Sequence, residues 1–94
     1  MILTLLLAAT PAPLQAGPVD AQEGRFRQCV ALTQTDPAAA RAEAGRWRIS
    51  GGRYFARECA GIAFAAEKSW PSAAGEFEEA AREAQLAKDT RAAN

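Results

Sequence analysis

Three clusters of helix-breaking residues divide this chain into helix-length pieces, and nothing else in it competes with that division. At Thr35-Asp36-Pro37 the chain stops and restarts, because Asp36 suits a helix N-cap and Pro37 suits the first helical position. Ser50-Gly51-Gly52 ends the next piece, since glycine adopts the left-handed conformation that closes helices. Ser69 to Ser72 is a turn, with Pro71 opening the last piece. Between these breaks, apolar residues recur at three- and four-residue steps, which is helical spacing. Phe26, Cys29, Val30 and Thr33 share one face, as do Phe55, Cys59, Ile62, Ala63 and Ala66, and Ala73, Ala74, Phe77, Ala80, Ala81 and Ala84. The pattern predicts helices from Ala21 or Gly24 to Thr35, from Pro37 to Ile49, from Arg53 to Lys68 and from Pro71 to Ala87. β-branched residues are scarce, so strands are not expected. The expected fold is all-α, with about four antiparallel helices joined by short connections.

Size and composition limit what such helices can do. The chain has 94 residues, with 11 basic and 11 acidic side chains. That length suits one small domain. Most of its apolar content is alanine, which favours helix but buries little surface. The chain has no histidine, so it lacks the commonest general base and the commonest transition-metal ligand. Gly51-Gly52 is a helix stop, not a phosphate loop, and Glu76, Glu78 and Glu79 sit along one helix without converging as metal ligands would. No nucleophile–base pair stands out. These features point away from an enzyme and give no catalytic residue, metal or cofactor. A balanced net charge argues against nucleic-acid binding by charge alone.

Residues 1–16 resemble a secretory signal peptide: a short apolar run from Ile2 to Ala9, then Pro11 and Pro13, then Ala16 at a plausible cleavage position. Export to the periplasm, or secretion, is the expectation. Residues 17–24 read as a polar linker, 25–87 as the helical domain and 88–94 as a polar, flexible tail.

The domain carries two copies of one pattern. Cys29 matches Cys59 at an offset of 30 residues, while Pro37, Ala39 and Ala40 match Pro71, Ala73 and Ala74 at an offset of 34. In the second copy Gly61 is followed by Phe64, then Ala73, Phe77 and Ala80, with Trp70 at the turn. This helix–turn–helix unit resembles the tetratricopeptide-repeat (TPR-like) family, whose period is about 34 residues. Arg57, Ala60 and Gln85 depart from that family's usual residues. The resemblance implies a short stacked array. Gly61 and Ala73 would let helices approach, with Phe64, Trp70, Phe77 and Ala80 filling the space around them.

In such an array Cys29 and Cys59 lie on neighbouring first helices and could form a disulfide after export. The alternative is two small buried thiols. The resemblance also implies a non-catalytic role: a periplasmic adaptor or scaffold in a Gram-negative bacterium, holding a protein or peptide and no small-molecule substrate. Charge is uneven. Seven arginines lie between Arg25 and Arg57, and six glutamates between Glu58 and Glu83. Ordinary solvated faces explain this pattern; a basic end meeting an acidic partner explains it too. Trp47, Arg48, Arg53, Tyr54 and Arg57 are the candidate partner surface. The rival readings are a disulfide-stapled bundle that self-associates as a homo-oligomer, and a membrane-attached protein that keeps its first 16 residues.

Overall fold

The computed structural model describes the backbone of residues 18–93 and the side chains of residues 21–88. Helix α1 spans Pro18–Thr35, α2 Pro37–Trp47, α3 Arg53–Ala66 and α4 Trp70–Ala93. Among the described residues all regular structure is helical.

Each break works by a local mechanism. Asp36 accepts a hydrogen bond from the Ala39 backbone N–H at 3.1 Å, and Pro37 occupies the first turn of α2. At the end of α3, Lys68 takes a left-handed φ of 63°. The Ser69 N–H then returns to the Phe64 carbonyl at 2.9 Å and the Lys68 N–H to that of Ala65 at 2.9 Å. That is a Schellman closure.

The middle break differs from the expectation. Helical hydrogen bonding runs on through Arg48–Gly52, but Ser50 (φ −99°, ψ 23°) and Gly51 (φ 105°, ψ 11°) leave helical geometry, so α2 meets α3 at a kink rather than across a separate loop. Counted by unbroken helical hydrogen bonding, the described residues form three helical runs rather than the expected four, the middle one kinked at Ser50 and Gly51. Gly51, at φ 105°, supplies the bend, and the Ser50 hydroxyl donates to the Arg46 and Trp47 carbonyls at 3.2 Å each.

Side-chain contacts give the helix directions. Arg25 meets Glu43 and Cys29 lies against the Ala40 carbonyl, so α1 and α2 are antiparallel. Arg41 meets Glu67, which makes α2 and α3 antiparallel. Arg57 meets Glu83 and Gly61 meets Phe77, which makes α3 and α4 antiparallel. Phe26 packs on Phe55, and Cys29 is bonded to Cys59 by an S–S bond of 2.01 Å, so α1 and α3 run parallel. Residues of the first helix thus meet residues 29 or 30 positions later. The disulfide, rather than two free thiols, joins the two halves.

The core is thin. Cys29, Ala44, Trp47, Ala56 and Cys59 form its buried cluster, with Phe26, Phe55 and Ala60 packed around them. Among the described residues Trp47 is the one large side chain fully inside, so it is not available as partner surface. Its indole N–H donates to the Gln22 side-chain oxygen at 3.1 Å, and the Arg25 guanidinium lies 5.1 Å from its ring centroid. Gln22 also donates to the Gly51 carbonyl at 3.0 Å. It thereby pairs the buried indole N–H and ties α1 to the bend.

Gln22 belongs to the segment expected as a linker. That segment is the first part of α1, because docking on Trp47 and the bend gives it a partner. Residues 88–93, expected as a tail, continue α4. The expected leader at 1–16 lies outside the described residues.

On α4 only Ala73 and Ala80 of the expected stripe are buried, while Ala74 and Ala81 face out. A Cβ at Gly61 would lie 2.6 Å from the Phe77 ring, so the ring sits directly on the glycine. Phe77 nonetheless stays 40% exposed. Trp70 is 60% exposed and fills no space between helices. It starts α4 at the level of the turn, after α3 has ended at Ala66, so α3 has no side chain left to cover it.

Candidate functional site

α3 is flanked on one side by α2 and on the other by α4, and its open face between them is the floor of a groove. Ala56 and Ala60 are small, so the floor is low, and Phe64 stands at its far end. The walls are Arg41, Ala44, Gly45 and Arg48 from the α2 side and Glu76 from α4. This inner part holds about 160 Å³. Toward the bend lies a hollow of about 460 Å³ lined by Arg48, Arg53, Glu83, Leu86 and Ala87. Arg48 borders both hollows. A separate hollow of about 230 Å³ between α1 and α2 is lined by the ion pair Arg25–Glu43.

The groove's electrostatics reflect how the uneven charge is used. Arg41 reaches from α2 to Glu67 with two hydrogen bonds, of 2.6 and 3.2 Å, and its guanidinium lies 5.2 Å from the Phe64 ring centroid. The hydrogen bond to Glu67 raises its pKa, against an opposing effect of desolvation. Arg57 donates to Glu83 at 2.8 Å and to Glu76 at 3.2 Å. Its hydrogen bond to Glu83 raises its pKa, and that to Glu76 adds to the effect. The basic first half and acidic second half are thus joined within one chain.

Two groove arginines stand outside this pairing. Arg48 and Arg53 have no ion pair among the described residues. Both are exposed, and both sit at the bend. Arg53 has φ 53° and ψ −136°, outside the regions open to ordinary L-residues, and lies 6.0 Å from the Tyr54 ring centroid. Next to Arg48, Ile49 is 82% exposed.

The sequence-expected surface residues therefore separate. Arg48, Arg53 and Arg57 line the groove; Tyr54 is half-buried and stacks on Phe55 at 4.6 Å; Trp47 is core. Phe64, expected as a packing plug, borders the groove instead. Leu86 and Arg41 were not expected there. Leu86 was legible only as a larger apolar residue near the end of the last helical pattern. Arg41 was legible only as one charge among many.

Comparisons with protein-family models, with curated proteins and with solved structures find no match to this chain. Its function therefore has to be argued from the groove. Among the described residues no His, Cys, Asp and Glu side chains gather in a set able to hold a metal ion. No described helix is long and apolar enough to cross a membrane.

Proposed function

We propose that this protein is a non-catalytic interaction module, a TPR-like adaptor or scaffold that acts in the periplasm and holds a peptide segment of another protein. The observation that carries this reading is the groove on α3, with an alanine floor between two flanking helices. Helical-repeat proteins use surfaces of this kind for peptides, because packed neighbours on both sides leave one helix face open. The parallel contact of α1 with α3, which brings together the matched cysteines Cys29 and Cys59, supports the repeat reading. The disulfide supports export, since such bonds persist in oxidising compartments.

The test is selection from a random peptide library against the purified chain, followed by amide chemical-shift mapping. Selected peptides should move the signals of Ala56, Ala60 and Phe64. Shifts confined to the α1–α2 side, or no selected binder, would defeat the proposal. A dimer formed without peptide, with those same amides at its interface, would favour the self-associating bundle.

A further inference from the structure

We infer that the groove takes an acidic peptide segment, its carboxylates held by Arg48 and Arg53 and an apolar side chain between them set against Leu86 and Ala87. The inference deepens the proposed function and rests on the groove being the binding site.

Charge complementarity identifies the occupant. Four arginines and two glutamates line the groove, and both glutamates already accept from Arg57. The groove's unspent charge is therefore cationic and concentrated at Arg48 and Arg53. Guanidinium groups recognise carboxylates with paired, charge-assisted hydrogen bonds. The two arginines border a shallow, open hollow of about 460 Å³ with apolar Leu86 and Ala87 beside them, so a segment carrying both carboxylates and an apolar side chain matches its lining. Backbone strain adds an independent pointer. A non-glycine residue in the conformation of Arg53 costs about 1–3 kcal/mol, and such strain gathers at binding sites.

The probe is a fluorescein-labelled hexapeptide of alternating glutamate and leucine, measured by fluorescence anisotropy on the full chain. Glutamine and lysine versions serve as counterparts. The acidic peptide should bind at least about tenfold more tightly than the glutamine version, and its affinity should fall as salt rises. R48Q should weaken it by about tenfold, and R48Q/R53Q by more. R27Q, at an exposed arginine on α1, should leave binding unchanged.

R53G separates recognition from folding. It relieves the strained backbone, so its melting temperature should rise while its affinity falls. A residue with only a structural role would not divide the two in that way. Equal binding of the acidic and glutamine peptides, or full binding by R48Q/R53Q, would overturn the inference. So would capture by phosphatidylglycerol vesicles that depends on the same arginines when the acidic peptide fails to bind. If the glutamine version binds equally and still shifts Ala60 and Phe64, the groove reading survives and only the acidic occupant is lost. If none of the three peptides shifts them, both fall.

Discussion

Gly52 and Gly61 both stand against aromatic rings, yet substitution should have opposite consequences. A Cβ on Gly52 would meet the Trp47 ring at 2.7 Å and the Ala56 Cβ at 2.8 Å. Trp47 is buried and held by Gln22, and a methyl on a helix cannot swing away. Gly52→Ala should therefore destabilise the fold by about 1–3 kcal/mol in urea unfolding. The nearest atoms to a Cβ on Gly61 are those of the Phe77 ring, which is 40% exposed and can move. There the helix preference of alanine over glycine, about 1 kcal/mol, offsets the contact, and Gly61→Ala should be near neutral. Glu58 gives a pH test. Burial pushes its carboxyl up from the ordinary carboxylate value. A carboxyl with a raised folded pKa binds more protons folded than unfolded, so stability falls as pH rises through that range and stays lower above it. Glu58→Gln should raise the melting temperature at pH 7, and the gain should vanish at pH 3.5, below the unfolded carboxylate pKa of about 4.3.

At the scale of elements, the helix ends follow different rules. Asp36 and Pro37 make a strong start to α2, and α3 closes with good hydrogen bonds around a residue poorly suited to them. Lys68 holds a left-handed conformation usually given to glycine, at a cost of about 1–2 kcal/mol. Lys68→Gly should stabilise the chain by about 0.5–1 kcal/mol in thermal melts, because added freedom in the unfolded chain removes part of the gain. The bend between α2 and α3 behaves unlike a turn. It keeps its carbonyls bonded through Ser50 and Gln22, and so lets Arg48 and Arg53 project from a firm support. α4 is 24 residues against 14 for α3. At about 1.5 Å per residue it outreaches its partner, which places Leu86 and Ala87 beside the bend rather than on α3's body.

For the molecule as a whole, the disulfide compensates for a core built mainly of alanine. Cross-linking residues 30 apart removes about 3–4 kcal/mol of unfolded-chain entropy. That is a large share of what a domain of this size can hold. Cys29→Ala/Cys59→Ala should lower the melting temperature by on the order of 15 °C or more, read by circular dichroism, and should lose α1 from α3 before α4. The bridge ties α1 to α3 only, while α4 is held by Ala73, Ala80, Phe77 and the Arg57 pairs.

Helix-making and helix-breaking in this chain are local chemistry, which is why they could be read without coordinates. Pro37, Pro71, Asp36 and the Gly51-Gly52 pair act on their own backbone, and the two cysteines already stood at one offset within a repeated pattern. Exposure is different, because it depends on what stands opposite. Trp47 and Trp70 look alike as sequence, yet one lies under Gln22 and Arg25 and the other sits past the end of α3. Pairing is equally non-local. Seven arginines between Arg25 and Arg57 say nothing about which of them meet Glu67, Glu76 or Glu83, and packing alone left Arg48 and Arg53 outside those pairs at the mouth of the groove.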